Sequence, residues 1–355
     1  MNDSSPFDPA APPAAALPED PWPRFRGGGL PAGQYRAAAE EFQVTEHLPF
    51  EPEGEGNHFL LRVTKQGANT LHVAKDLARA AGCRPRDVGY AGLKDRHAVA
   101  VQHFTVPAQD VTDDPAAWSG NGWRVEGAWR ARRKLKQGAL AGNGFRLLLR
   151  VAPEDRAAVG AGLESVGERG VPNYFGPQRF GREGGNLAGA RRLFAGETVK
   201  DRKLRGLYLS AARSYLFNRV LAARVAAGTW DRLLPGEYAM LDGTNSGFQV
   251  PDPAAEEPRR AIGDLHPSGP LPGTPGIGPT GEAAALEQQV LKDEEELVAG
   301  LQALKVEADR RPLRVRVQGA AWETAPEGVW VDFFLPAGAF ATAVVREVIS
   351  VGSEA

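Results

Sequence analysis

The stretch Val88–Val106, VGYAGLKDRHAVAVQHFTV, sets Lys94, Asp95, Arg96 and His97 in a glycine-bounded turn just ahead of an apolar, strand-like run. Cations on either side of an acid favour its charged form. A carboxylate on a loop fixed by a sheet can act as a nucleophile or a base. A surface turn whose charges simply face water is the competing reading of the same residues. His58, His72, His97, His103 and His266 are scattered without metal-ligand spacing, so a metal site is not expected. The chain contains no G-x-x-x-x-G-K-[ST], no H-E-x-x-H and no G-x-S-x-G. Gly184-Gly185 does not follow a strand as a dinucleotide loop must. Dinucleotide redox chemistry and metal-assisted hydrolysis lose most of their support.

The elements that must position Asp95 belong to a chain of 355 residues, beyond the roughly 250–300 at which one core stops growing. Two cores, or one domain with a large insertion, are expected. Residues 1–29 form a leader whose first 24 positions carry seven prolines and five alanines, read as disordered. Phe59–Val63, Ala98–Val106 and Phe145–Val151 are apolar runs of strand type. Leu71, Ala74, Ala78 and Ala81 recur at helical spacing, with Gly82 placed to end the helix. Farther along, Leu216, Phe217, Val220 and Leu221 make a helical stripe, and Ala283–Leu304 reads as a second long helix. Between them Pro251–Gly281 holds eight prolines and six glycines, a loop that neither helix nor central strand should accommodate. Strand-like runs return at Leu313–Val317 and Val329–Leu335. The order β-rich, α-rich, β-rich predicts an α+β domain of residues 30–169 and 312–355, interrupted by an α-rich insert of residues 170–311.

Hydrophobic residues make up 42% and charged residues 24%, and the formal net charge is −2. That is ordinary globular composition. The charge is unevenly placed: Arg130, Arg132, Arg133, Lys134 and Lys136 fall together with no acid among them. Phe175–Arg213 holds nine basic residues against three acids, while acids gather at Asp293–Glu296. Such polarity points to a polyanionic partner. The lone Cys83 excludes an internal disulfide, and no apolar run reaches the roughly 18 residues of a membrane span. A soluble, cytoplasmic protein is expected.

GYAGLKDRHAVAVQ, VPNYFGPQRFGREGGNL at Val171–Leu187 and LSAARSYLFNRVL at Leu209–Leu221 resemble the TruD family of tRNA pseudouridine synthases. Glu41–Glu46 with the following Gly54-Glu55-Gly56, and LPAGAFATAVVRE at Leu335–Glu347, agree with the same family. The five blocks run in the family's order from about residue 30 to 349. The resemblance implies a pseudouridine-synthase sheet, mixed and largely antiparallel, with residues 170–311 as the inserted TRUD domain. It implies Asp95 as catalytic nucleophile and Phe42, Asn143, Phe145 and Phe340 as substrate contacts. Family members often carry a lysine about six residues before that first phenylalanine, paired with the aspartate. Here Arg36 keeps the charge in a planar fork instead of a point.

On that resemblance the chain would turn one uridine of tRNA, the family's usual uridine 13, into pseudouridine. The bond from C1′ to N1 breaks, the base turns, and C1′ rejoins through C5. Nothing enters or leaves overall, so no cofactor is required. The uridine must first leave the RNA stack, and phenylalanine faces can return part of the lost stacking. Asn143 and Phe145, two apart on a strand, face the same side, so an amide for the uracil edge sits beside a ring. Arg130–Lys136 and Phe175–Arg213 would grip phosphates, with the insert clamping RNA from the other side. A monomer acting on tRNA is expected. The alternative is a non-catalytic RNA-binding or RNA-chaperone protein on the same scaffold; a hydrolase pairing Asp95 with a second acid has no second acid marked by a motif.

Overall fold

The computed structural model describes residues 21–351. Its described residues divide into two units, one of residues 26–171 and 315–351, the other of residues 21–25 and 172–314. In the first unit the chain lays down β1 (Ala32–Gln34), β2 (Phe42–His47), β3 (His58–Lys65), α1 (Thr70–Ala80), β4 (Gly89–Tyr90), β5 (Val99–Pro107), β6 (Ser119–Gly120), β7 (Trp123–Ala131), β8 (Gly142–Val151) and α2 (Arg156–Arg169). β9 (Val171–Pro172) leads into the second unit. That unit holds α3 (Gly185–Phe194), α4 (Arg202–Ala226), β10 (Tyr238–Leu241), β11 (Gly247–Gln249), α5 (Pro253–Ile262), β12 (Leu265–Leu271), α6 (Gly281–Leu291), α7 (Glu295–Ala303) and β13 (Asp309–Pro312). After β14 (Arg314–Val315) the first unit resumes with β15 (Gln318–Ala325), β16 (Gly328–Pro336), α8 (Ala341–Val348) and β17 (Ser350–Val351).

The first unit is built on one eleven-stranded sheet with the main path β15-β16-β8-β2-β5-β3-β7-β6. β2 pairs with β5, and β1 with β17, in parallel; the other neighbours on the main path run antiparallel. This is the α+β class that the element order implied. Leu147, Leu148 and Leu149 of β8 are all buried, on a strand with β2 on one side and β16 on the other.

Register sorts the side chains. Phe42, Val44 and Glu46 of β2 stand opposite Leu147, Phe145 and Asn143 of β8, which in turn face Val331, Phe333 and Leu335 of β16. Val44 also pairs with Ala100 of β5, and Ala100 with Lys65 of β3. Because partners in register share a face, these residues form one surface. At the β3 end α1 packs Val73, Ala74, Leu77 and Ala78 on Leu61, Val63, Phe104 and Val125 of that surface. Toward β15 it is α2 that covers it, so closely that a Cβ at Gly160 would run into Trp322. The strip between the two helices is floored by Phe42, Val44, Asn143, Phe145 and Phe333.

The helix read around Leu71–Ala81 is α1, capped by Asn69, whose side chain accepts from the His72 N–H, and followed by Gly82 at φ 64°. Leu71 itself points outward and is exposed; Val73 and Leu77 carry the buried stripe instead.

In the second unit α4 buries Leu216, Phe217, Val220 and Leu221 as the stripe implied. Two expectations fail there. The proline-rich Pro251–Gly281 contains helix α5 and strand β12. α5 opens with Pro253 at its first position, where a missing N–H costs nothing, although Pro258 does lie inside it. β12 pairs with β10 through residues 265–267 and with β13 through residues 268–271. Each half therefore keeps one side off the ladder, where Pro267 and Pro270 need no donor. The long helix expected over Ala283–Leu304 is two, α6 and α7, broken by a 3-10 turn at Lys292–Glu294. Of the leader, residues 1–20 lie outside the described residues. Trp22 stacks on Tyr174 and Phe25 packs on Trp230, so the final part of that stretch joins the second unit's aromatic core rather than being unstructured.

Candidate active site

Asp95 sits on the loop between β4 and β5, and that loop is bonded from every side. The Lys65 ammonium, at the end of β3 and fully buried, donates to the carbonyls of Asp95 at 2.7 Å, Ala68 at 3.0 Å and Lys94 at 3.3 Å. Thr70 Oγ1, on the first residue of α1, accepts from the Lys94 N–H at 3.0 Å and donates to Gln102 Oε1. Gln102 Nε2 donates in turn to the Gly92 carbonyl at 2.6 Å. Arg96 and Gly67 exchange two bonds, Arg96 Nε to the Gly67 carbonyl and the Gly67 N–H to the Arg96 carbonyl. Buried polar groups of this kind fix a backbone because each would be costly to leave unmade.

The cations adjacent to Asp95 in sequence do not serve it directly. Lys94 reaches away to Glu46, 2.8 Å distant and fully buried, which also accepts the His103 backbone N–H at 2.9 Å. Burial pushes the Glu46 carboxyl up, yet the His103 bond and the Lys94 charge outweigh it and hold it below the ordinary carboxylate range. Arg96 is occupied by Gly67. The partner of the Asp95 carboxylate is Arg36, whose Nη2 lies 3.2 Å from Oδ2. The Asp95 side chain is 61% exposed, so it is open to a substrate.

Arg36 adopts φ 65°, a left-handed conformation that costs a side-chain-bearing residue about 1–2 kcal/mol. Strain of that size persists where surrounding structure imposes it. Here the guanidinium is held over the Phe42 ring, 3.8 Å from its centroid. The segment between them is pinned by Glu41, which takes a forked bond from Arg150.

Phe42 is only 2% exposed. It meets Phe145 edge-on at 6.2 Å, and Phe145 stacks on Phe333 at 5.4 Å. A continuous path of contacts thus runs from the Asp95 carboxylate through Arg36 and Phe42 to the floor of the strip. Asn143, opposite Glu46 in register, is buried and its Oδ1 has no hydrogen-bond partner. Phe340 caps α8 beyond the end of β16, whose Leu335 is registered against Asn143. Its ring is 43% exposed.

Burial lowers the Lys65 ammonium to about 8, against the upward pull of Asp95 and with Lys94 adding to the fall. Sequence reading did not single out Glu46, Lys65, Thr70 or Gln102. Glu46 alone carried a signal, as the last residue of the Glu41–Glu46 block.

The basic tract follows β7. Its backbone meets the Asp95 loop where the Gly138 N–H donates to the Ala91 carbonyl at 2.7 Å. Gly89 allows this approach, since a Cβ there would strike the Leu135 carbonyl and Thr105 Oγ1. The tract is less free of acid than its sequence suggests. Arg132 pairs with Glu53 and Glu55 from the β2–β3 connection. Arg130 lies over Phe59 and donates to the Gly56 carbonyl, and Lys134 donates to the Arg86 carbonyl. Arg133 and Lys136 are exposed. A separate cavity of about 380 Å³, lined by His47, Phe50, Arg62, His103 and Trp129, opens on the other side of Glu46 and does not include Asp95.

The family model described as tRNA pseudouridine synthase D (TruD) matches residues 29–190 and 194–348 of the chain. The tRNA pseudouridine synthase D of Xanthomonas euvesicatoria pv. vesicatoria (strain 85-10) is 44% identical over 347 residues, covering 92% of this chain and 93% of that protein. The protein of the same name from Methylococcus capsulatus (strain ATCC 33009 / NCIMB 11132 / Bath) is 44% identical over 335 residues, covering 93% and 94%. Among solved structures, that described as tRNA pseudouridine synthase D (TruD) from Methanosarcina mazei aligns with a TM-score of 0.72 at 21% identity, covering 90% of this chain and 94% of that one. That last likeness is one of fold.

Proposed function

The chain belongs to the tRNA pseudouridine synthase D family, and from that premise we propose that it isomerises a uridine of tRNA to pseudouridine at the site around Asp95. The observation that carries the reading is the exposed Asp95 carboxylate, paired with Arg36, whose guanidinium lies over the Phe42 ring, while its loop is bonded from beneath.

The reaction breaks C1′–N1 and makes C1′–C5; the proton on C5 is lost and N1 gains one, so the product is an isomer. Asp95 supplies the carboxylate on which cleavage depends. Arg36 pairs with that carboxylate while its guanidinium lies over the Phe42 ring. The detached uracil must turn without escaping. Asn143, whose buried oxygen lacks a partner, offers an amide to the uracil edge, and unpaired buried polar atoms strongly favour a ligand that satisfies them. Phe145 and the exposed Phe340 supply stacking faces, worth roughly 1–3 kcal/mol per base. Lys65, Glu46, Thr70 and Gln102 are positioning residues: they fix the loop before substrate arrives, so little reorganisation is needed in the transition state.

The target proposed is the family's usual one, uridine 13. Residues 30–169 and 312–355 are proposed as the catalytic domain, residues 170–311 as the inserted RNA-contacting domain, and the active species as a cytoplasmic monomer. Of the basic tract, Arg133, Lys134 and Lys136 are the residues proposed to meet phosphates, with Arg130 and Arg132 shaping the loop. Carbodiimide mapping of tRNA from cells lacking the chain, and from the same cells carrying it or Asp95→Asn, tests the reading. Pseudouridine is expected with the natural chain alone; its persistence with Asp95→Asn would overturn the assignment.

A further inference from the structure

In the unit of residues 172–314, Arg179 and Arg311 meet at the aromatic cluster around Phe175, and Arg213 of α4 bonds to Leu271, which packs on that cluster. The Arg311 guanidinium lies 4.4 Å from the Phe175 ring centroid and 5.9 Å from that of Phe217. Arg179 sits 5.2 Å from the same Phe175 ring. Arg311 Nη2 donates to Asn173 Oδ1 at 2.5 Å, and Arg179 Nη1 to Ser210 Oγ at 3.0 Å. Three residues beyond Ser210 on α4, Arg213 donates to the carbonyls of Leu271 and Glu307. Every acceptor is neutral.

Several other arginines of the unit differ. Arg191, Arg192, Arg219 and Arg224 each have a carboxylate partner. Among the described residues none stands within ion-pair distance of Arg179, Arg213 or Arg311. Two N–H groups in the cluster, Arg213 Nε and Arg311 Nε, are buried and lack any acceptor. Burial, followed by repulsion from Arg179, brings Arg311 down to about 10; burial shifts Arg213 downward too, with Asp309 opposing.

Half-buried guanidinium groups without an ion-pair partner carry a desolvation cost that neutral acceptors, ring faces and, for Arg213, the attraction of Asp309 offset only in part, and unmade donors add to that cost. The missing complement is an anion with several oxygen acceptors. Planar forks meet such an anion two bonds at a time, which favours the phosphate group over a single carboxylate oxygen. The aromatic floor beneath them is buried and serves to hold the forks in place rather than to stack a base.

Resting on the RNA-modifying reading above, we propose that Arg179, Arg213 and Arg311 form a phosphodiester-binding site that engages the tRNA backbone. Free inorganic phosphate shares the chemistry and is separated by the test. Affinity of the full chain for unmodified tRNA is measured between about 50 and 300 mM KCl, with and without added phosphate, for the natural chain, Arg179→Gln, Arg311→Gln and Arg192→Gln. Loss of one phosphate contact lowers the salt slope by about 0.9 in duplex regions, or about 0.7 on a single strand. The first two variants are expected to lose tenfold or more in affinity at low salt, together with that slope, while Arg192→Gln keeps both.

Unchanged slopes in Arg179→Gln and Arg311→Gln would overturn the site. So would an equal drop in Arg192→Gln, because Arg192 is already paired with Glu197. Phosphate that raises the melting temperature of the natural chain but not of Arg311→Gln, with tRNA slopes unaltered, would assign a small-anion site and overturn the RNA one. Should Arg311→Gln fail to fold, Arg311→Lys keeps the charge without the fork and must still lose affinity. Pseudouridine formation by the natural chain, assayed in parallel, separates failure of this site from failure of the RNA-modifying reading.

Discussion

Glu46 and Lys94 form a buried ion pair at 2.8 Å, one residue before Asp95. The pair does not touch the Asp95 carboxylate; it sets where that carboxylate can be. Glu46 also carries the His103 N–H beside β5, so a single side chain ties two sides of the loop's support together. Breaking a buried pair by removing one charge leaves the other uncompensated, at about 3–5 kcal/mol.

Glu46→Gln is accordingly expected to destabilise the folded chain by about 3 kcal/mol in urea unfolding and to lower the single-turnover rate with little change in tRNA affinity. Adding Lys94→Met should recover much of the stability but not the rate. Because the Glu46 carboxyl is held below its ordinary value, its contribution is present above the unfolded-state value and is lost as acid protonates it. The acid side of the stability curve should therefore flatten in Glu46→Gln.

Lys65 gives a second test, with two signs to check. Its ammonium, near 8 when folded against 10.5 otherwise, leaves the folded chain first as pH rises. Between those values the unfolded chain holds more of this proton, so this group makes stability rise with pH. The Asp95 loop behaves oppositely, since a neutral amine cannot donate to all three carbonyls. Turnover should fall with a midpoint near pH 8 while the fold grows no weaker, and Lys65→Met should be slow and lack that limb. A limb that survives in Lys65→Met refutes the assignment.

Arg36 separates function from stability. Its exposed pair with Asp95 contributes little to folding, about 0–1 kcal/mol, whereas its left-handed backbone costs more. Arg36→Gly should be neutral or stabilising by about 1 kcal/mol in thermal unfolding yet lose about a hundredfold in rate. Arg36→Lys, with charge but no guanidinium fork over Phe42, should fall between.

Arg132 and Arg133, neighbours in sequence, should differ in RNA binding. Arg133→Gln is expected to reduce the salt slope of tRNA affinity by about 0.9. Arg132→Gln should leave it nearly unchanged, since Glu53 and Glu55 already counter that charge. Equal slopes for the two variants would contradict the assignment of Arg133 as the phosphate contact.

The pattern of residues made some of this visible. Strands β3, β5 and β16 announce themselves by composition, and the two-residue spacing of Asn143 and Phe145 places both on one face of β8. What stayed hidden shares a physical character. Lys65, Thr70 and Gln102 act by bonding to backbone carbonyls and amides, and any lysine, threonine or glutamine could do so; only position makes them matter. The acids that neutralise Arg132 arrive from 77 and 79 positions away, beyond any local count of charge. The prolines of β12 misled because a breaker matters only where its N–H is wanted, and pairing on alternate sides leaves those positions unclaimed.

Phe145 stacks on Phe333, and beside them Arg146 bonds to Asp332 across 186 positions of chain. One side of this aromatic floor is thus translated long after the other. On the ribosome, β8 waits as an open edge until the whole of residues 172–314 has emerged and β16 can zip alongside it. Until then Phe145 lacks its stacking partner, and the exposed edge is one that chaperones can shield.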